Sequence, residues 1–384
     1  MNEQPKIRVA VIFGGRSPEH AVSCAGGGAI LAAMDRDRYE VLPIGILPDG
    51  RWVLTADDPE RLAITGGELP SVASVASPGG QIVPWGSPGQ GMLVIAEPGA
   101  IPHELGGVDV VLPILHGPFG EDGTMQGLLE MAGIPYAGAG VLSSAVSMDK
   151  EYMKLIFTAR GLPIGPYVVV RDRDWQPSQA AAGASAAAER KPVLDAIDEL
   201  GWPVFVKPAR GGSSLGTSKV AGPAGLQEAI ETARGYDPKV LVEKAIDGRE
   251  IECGVLEGLD GAPPDTTVPG ELRIEGGQEF YDFEAKYRDQ ATVMDIPAAI
   301  PATDADELRR LAAAAFEAVS CEGLARVDFF YTRDGQILLN EINTIPGLTP
   351  TSGFPKMWAA TGMTLSDVVD RLITTAMRKG AGLG

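Results

Sequence analysis

The sequence predicts an α/β fold that becomes α+β in its later part. Three observations carry this. Near the N-terminus, apolar strand-like runs alternate with helical ones, the rhythm of an open α/β domain. A Gly-Ser-rich stretch, Gly211 to Gly216, lies between two strand-like runs rather than between a strand and a helix. Ala325 to Pro350 reads as a hairpin that gathers two carboxylates, an amide and an arginine on one face.

Lys6 to Phe13 is a continuous apolar run that ends in Gly14-Gly15, as a buried parallel strand should. A helix over about Ser17 to Met34 follows, then strands at Tyr39 to Leu47 and Val108 to Leu115. Ligands bind such folds at the carboxyl ends of strands. Glu19, His20 and His116 sit at those ends. Glu19 suits an ammonium partner, or support for a first helical turn. Residues 66–107, rich in Gly, Pro and Ser, read as a peripheral insertion with short strands. Residues 176–191 are Ala-rich, either a helix or an insertion.

Helices are expected over Glu121 to Ala132 and from Met148 to about Arg160, the latter ended by Gly161 and Pro163. Strands are expected at Val168 to Val170, Pro203 to Lys207, Thr217 to Val220, Val240 to Glu243 and Arg249 to Leu256. Asp304 to Val319 is an amphipathic helix.

The Gly-Ser loop admits three readings. It lacks the lysine of a Walker A loop, because Thr217 stands there. It matches Gly-x-Ser-x-Gly, but a strand follows where that elbow needs a helix. The third reading is a hairpin loop whose N–H groups, with Ser213 and Ser214, close over phosphates. Lys207, on the apolar strand before it, favours the third, because a bare ammonium there is costly without an anion. Lys150 at a helix start opposes the macrodipole, and an anion would offset this. Glu243-Lys244 could set a backbone hinge against a nucleobase, and Glu250 could hold ribose hydroxyls. Taken singly, each of these charges is more readily a solvated one. Lys286 and Tyr287 lie on a long loop, read as a lid or as plain surface.

In the hairpin, Asp334-Gly335 suggests a two-residue turn. Arg333 then pairs with Gln336, Asp328 lies opposite Glu341, and Arg326 lies opposite Asn343. Facing carboxylates repel. A divalent cation held by Asp328, Glu341 and Asn343 would relieve this, and Mg²⁺ fits that oxygen set while keeping positions for phosphate. A loop longer than two residues would move one carboxylate off the shared site.

Composition narrows the partners. The chain has 384 residues, room for two or three domains, and is 45% hydrophobic. Its formal charge of -19 argues against nucleic acid and anionic membranes. No apolar run reaches membrane-spanning length, and the N-terminus reads as a strand rather than a signal peptide. Cys24, Cys253 and Cys321 are few and scattered, as in a reducing compartment. With only His20, His103 and His116, a multi-His metal site is excluded.

Seven stretches in order resemble the D-alanine–D-alanine ligases of the ATP-grasp superfamily. They are GGRSPEHAVS at 14–23, LHGPFGEDGTMQG at 115–127, SMDK at 147–150, VKPARGGSSLGTSKV at 206–220, YDFEAKY at 281–287, RVDFF at 326–330 and NEINTIPGLTPTSGFP at 340–355. The resemblance implies a three-domain ATP-grasp fold, in which an N-terminal open parallel α/β domain (1–140) precedes two domains that sandwich ATP (141–240 and 241–384). The lid would span about 276–291 and the metal hairpin 325–343. It implies phosphate contacts from Lys150, Lys207, Ser213, Ser214 and Lys286, adenine contacts from Glu243, Lys244 and Ile246, and a ribose contact from Glu250. Two Mg²⁺ (or Mn²⁺) would sit on Asp328, Glu341 and Asn343. Glu19 would hold the first D-Ala ammonium, with His116 nearby, in a set with Ser213 and Tyr287. Arg326, rather than forming a salt bridge to its neighbouring carboxylates, would hold the oxyanion together with the Gly347 N–H, and Ser352 with Lys286 the second carboxylate. A cytoplasmic homodimer serving peptidoglycan precursor synthesis is implied too. Tyr287 implies dipeptide rather than D-lactate chemistry. A related ligase for D-lactate or D-Ser, and a non-catalytic nucleotide-binding module, are the alternative readings.

Overall fold

A computed structural model describes residues 5–65, 68–79, 81–84, 92–96, 103–175, 184–274 and 292–380. Strand Ile7–Gly14 is central to the first sheet, parallel to both Tyr39–Ile46 and Val110–Ile114. The antiparallel strand Trp52–Leu54 closes one edge. Val9 to Phe13 are essentially inaccessible, so this run is buried on both faces, as its unbroken apolar pattern requires. Helix His20–Ala33 covers one face and begins three residues later than expected. The delay has a cause: Ser17 Oγ accepts the Glu19 N–H and donates to the His116 carbonyl, which holds the chain outside the helix.

The described part of the 66–107 insertion is a three-stranded antiparallel sheet of Gln81–Pro84, Met92–Ala96 and His103–Gly107. In the second insertion, the described part is a helix, Ala184–Leu200.

Two antiparallel sheets follow. The first is ordered Ser218–Val220, Val204–Pro208, Val240–Lys244, Tyr167–Val170. The second runs Thr292–Asp295, Gly270–Ile274, Gly248–Leu256, Leu324–Thr332, Ile337–Asn343, with Asp265–Thr266 added to Gly248–Leu256. The stretch that carries Lys286 and Tyr287 is flanked by two paired strands, Gly270–Ile274 and Thr292–Asp295. Only Ala245, Ile246 and Asp247 separate Val240–Lys244 from Gly248–Leu256, so they form the seam between the sheets. Helix Ala302–Ala318 buries Leu308, Leu311, Ala315 and Phe316 on the second sheet, as its periodicity predicts. Helix Val141–Met148 and the C-terminal helices Gly353–Thr361 and Leu365–Lys379 complete the fold. Val368, Val369, Leu372 and Ile373 of the last helix share one core with Val9, Val11 and Phe13, so the chain's end packs on its beginning.

The hairpin differs from expectation in an informative way. Its loop has three residues, not two: Thr332 pairs with Gln336, and Gly335 closes the turn at φ 81°. This is a β-turn over Thr332 to Gly335 that ends in a left-handed residue, a conformation glycine adopts freely. Arg333 therefore does not pair with Gln336. Phe329 lies opposite Leu339, one residue off the register expected. The ladder then shifts between Asp328 and Phe329, and Asp328 faces Glu341 while Arg326 faces Asn343. Asn340 is the extra residue. The bulge cancels the longer loop, so both carboxylates stay on one site.

Gly323, just before strand Leu324–Thr332, has φ 66°, and a Cβ there would lie 2.6 Å from Gly138 Cα. Gly323→Ala therefore combines left-handed strain with a backbone clash. It should cost about 2 kcal/mol or more, read as a lowered thermal midpoint, whereas Gly222→Ala, with open space at its Cβ, should cost far less.

Candidate active site

The Gly-Ser loop links strands Val204–Pro208 and Ser218–Val220, which pair antiparallel, so it is the hairpin loop of the third reading. Ser213 and Ser214 sit at φ 50° and 58°, sterically unusual for two consecutive L-residues. Successive N–H groups in such loops form anion-binding concavities. Ser213 Oγ donates to Glu19 Oε1, and a Cβ on Gly212 would lie 3.0 Å from Glu19 Oε2. A buried carboxylate at the start of helix His20–Ala33 is thus seated on the loop between Val204–Pro208 and Ser218–Val220.

Lysines bind this arrangement together. Asp149 caps helix Lys150–Ala159 by accepting the Glu151 and Tyr152 N–H groups. This fixes Lys150 at the helix start. Its Nζ donates to the Gly211 carbonyl at 2.9 Å and lies 3.5 Å from Glu341 Oε2. One ammonium therefore touches both the loop and the hairpin. Lys207 Nζ lies 2.7 Å from Glu243 Oε2, and Lys154 Nζ lies 3.2 Å from Glu243 Oε1. Burial would raise the Glu243 pKa, but the two lysines outweigh it and take it down to about 2. Burial also works against the charge on Lys207, yet Glu243, Glu341 and Glu250 raise its pKa overall.

On the hairpin, Arg326 Nε and Nη2 each donate to Asp328 at 2.7 Å, and Nε lies 3.4 Å from Glu252. This corrects the expectation that Arg326 avoids its neighbouring carboxylates. Residues i and i+2 of a strand share a face about 7 Å apart, a gap a long arginine spans easily. Asn343 Nδ2 also donates to Asp328 Oδ2, at 3.0 Å. Among the described residues no three of His, Cys, Asp and Glu converge as a metal cage. Two carboxylates and an amide at one end of a ladder instead fit a hard cation whose remaining ligands come from phosphate.

The other expected residues fall around this centre. Lys244 and Ile246 lie at the seam between the sheets, and Glu250 is exposed on the first turn-out of strand Gly248–Leu256. A Cβ on Gly347 would meet Ser352 Oγ at 2.8 Å, so these two are neighbours. Ser352 precedes helix Gly353–Thr361 and is bonded to Thr349. His116 is buried, and burial lowers its pKa, with Glu19 acting against this. Lys286, Tyr287 and the lid at 276–291 lie outside the described residues.

Two contributors escaped the sequence reading. Glu121 accepts N–H groups from Gly117 at 2.7 Å and Ile345 at 3.2 Å, tying the loop beside Glu19 to the chain leading to Gly347. Burial and the nearby Glu19 push its pKa up to about 8. Sequence offered only a helix start at Glu121, and the helix itself begins at Thr124. Lys154 had a signal, because it sits on the apolar stripe of Met153 and Phe157.

Comparison with known proteins settles the lineage. The family D-ala D-ala ligase N-terminus matches residues 8–139, and D-ala D-ala ligase C-terminus matches residues 156–374. The chain belongs to the D-Ala–D-Ala ligase family. Within that family, it is 55% identical over 378 residues to the D-alanine–D-alanine ligase of Streptomyces coelicolor, covering 98% of this chain and 94% of the relative. It is 54% identical to the Streptomyces avermitilis enzyme of the same name, with 99% and 97% covered. Solved relatives include the VanG D-Ala:D-Ser ligase of Enterococcus faecalis, at TM-score 0.78 and 31% identity over 97% of this chain and 100% of that one. The D-alanine–D-alanine ligase of Coxiella burnetii gives 0.77 and 30%, over 98% and 95%. The ATP-grasp architecture follows from these neighbours.

Because the folded pKa of Glu243 lies below its usual value, its ion pairs stabilise the fold above pH 4.5, and that contribution is lost as pH falls toward about 2. The loss should be on the order of 3 kcal/mol. Urea unfolding between pH 5 and 2.5 should show it, and Glu243→Gln should flatten the profile by up to one proton.

Proposed function

We propose that the chain joins two D-alanines to D-alanyl-D-alanine, with ATP cleaved to ADP and phosphate, for peptidoglycan precursor synthesis. One observation carries the reading beyond the relatives' names. Lys150 joins the Gly-Ser loop to Glu341, so the anion-binding loop and the carboxylate pair address one place. A binding module would not need both.

The residues divide the work. Lys150, Lys207, Ser213, Ser214 and Lys286 hold phosphates; Glu243, Lys244 and Ile246 line the adenine; Glu250 takes the ribose. Asp328, Glu341 and Asn343 would hold two Mg²⁺ (or Mn²⁺), which supply charge neutralisation at the phosphates. Glu19, steadied by Ser213 and with His116 nearby, orients the first D-Ala so that its carboxylate attacks the γ-phosphorus. The resulting acyl phosphate is attacked by the amine of the second D-Ala, whose carboxylate rests on Ser352 and Lys286. Arg326 and the Gly347 N–H meet the developing oxyanion, and Tyr287 closes over the first substrate. Such catalysis is positioning and charge stabilisation, and needs no protein nucleophile. The domain limits 1–140, 141–240 and 241–384 belong to this reading. So does a cytoplasmic location, which suits three buried free thiols. No helix among the described residues is long and apolar enough to cross a membrane.

A homodimer completes the reading. Adjacent helices Thr124–Ala132 and Val141–Met148 expose Leu128, Met131, Val141 and Leu142, with Met131 83% and Leu142 65% accessible. A patch of this kind marks an association surface.

Protein, Mg²⁺, ATP and D-Ala should release phosphate in step with D-alanyl-D-alanine, identified by mass. Phosphate release that ignores D-Ala would defeat the assignment, and a D-Ser or D-lactate adduct outcompeting the dipeptide would redirect it. Light scattering should give a dimer for the native chain and a monomer for the Met131→Glu, Leu142→Glu double variant. A native monomer at tens of micromolar would remove the dimer.

A further inference from the structure

Lys154 is only 2% exposed, on the inner face of helix Lys150–Ala159 between Met153 and Phe157, which are fully buried. Lysine is almost never buried so completely unless it is paired. Its Nζ lies 3.2 Å from Glu243 Oε1 and 5.7 Å from the centre of the Tyr167 ring. Burial lowers its pKa, and Glu243 partly restores it. Lys150, one turn earlier on the same helix, reaches the loop and the hairpin, whereas Lys154 is enclosed behind them. Its path to the cleft runs through Glu243, whose other oxygen holds Lys207 at 2.7 Å.

Stability alone does not account for this lysine. Replacing a whole buried ion pair by apolar side chains is often neutral or stabilising, and Glu243 would keep Lys207 as a partner if Lys154 alone were replaced. Geometry accounts for it better. A carboxylate between two ammoniums is held by charge at both oxygens, without a hydrogen bond at Oε1, and neither cation has it exclusively.

We propose that Lys154 is a positioning residue for ATP: it pins Glu243 from behind, so that Lys207 is aimed at the nucleotide without being locked to the carboxylate. This rests on the assignment of Lys207 and Glu243 to the ATP pocket. Without Lys154, Lys207 and Glu243 become an exclusive pair, and the ammonium is less free to meet the nucleotide.

Steady-state kinetics of Lys154→Met, Lys154→Arg and Lys207→Met decide the matter, with thermal midpoints measured without nucleotide. Lys154→Met should raise the KM for ATP about tenfold, the scale of one weakened charge-assisted hydrogen bond. The KM for D-Ala should stay unchanged, whether or not the midpoint moves. Lys154→Arg should recover part of the ATP affinity. A native KM for ATP in Lys154→Met, or a fallen midpoint as its only effect, overturns the proposal, as does failure of that variant to fold. Lys207→Met separates the two levels of the claim. If it raises the KM for ATP while Lys154→Met does not, only the role of Lys154 is lost. If Lys207→Met also leaves that KM unchanged, the ATP pocket is misplaced and both fall together.

Discussion

Two carboxylates face each other across an antiparallel ladder, and a different cation holds each. Arg326 forks onto Asp328 from the same strand face, and Lys150 reaches Glu341 from a helix start. Left alone, Asp328 and Glu341 would repel at a partly buried site. The two cations come from different elements, so satisfying the pair also fixes how those elements meet. Lys150 extends the linkage to Gly211, and Ser213 carries it to Glu19, which precedes helix His20–Ala33. A chain of charged contacts therefore runs from the hairpin to the start of the N-terminal helix.

On the proposed reading, the same contacts describe a site prepared for phosphate. Lys150 and Lys207 are each held by a carboxylate, and Lys150 also touches the loop at the Gly211 carbonyl. Phosphate oxygens and a divalent cation would exchange for these partners with little rearrangement, which is the sense in which such a pocket would be preorganised. Glu243 has a separate part. Clamped between Lys154 and Lys207, its side chain is structural, whatever its backbone offers a nucleobase.

Much of this was legible in the residues. Asp328 opposite Glu341 was read from a turn at Asp334-Gly335, with period-two alternation placing Arg326 and Asn343 on the same face. Thr217 in the lysine position excluded the Walker A reading, and the strand after the loop excluded the nucleophile elbow. The turn was misjudged, because Asp-Gly signals a two-residue and a three-residue hairpin alike. The result survived only because the bulge at Asn340 restores the register, and no local pattern announces that bulge. Arg326 was misjudged for another reason: the strand pattern gives its face but not which neighbour on that face it will grip. Glu121 and the pinning of Glu243 were out of reach, since both depend on residues far apart in sequence, such as Ile345 brought to Glu121. Lys154 was within reach, as a charged residue on an otherwise apolar helical stripe.

The central claim is that the hairpin's carboxylates hold the metal that accompanies ATP. Counting Mn²⁺ bound per chain by electron paramagnetic resonance, in the presence of a non-hydrolysable ATP analogue, tests it directly. The account predicts two Mn²⁺ in the native chain and fewer in Asp328→Asn and Glu341→Gln, with analogue binding retained at high Mn²⁺. Unchanged Mn²⁺ binding in both variants would contradict it.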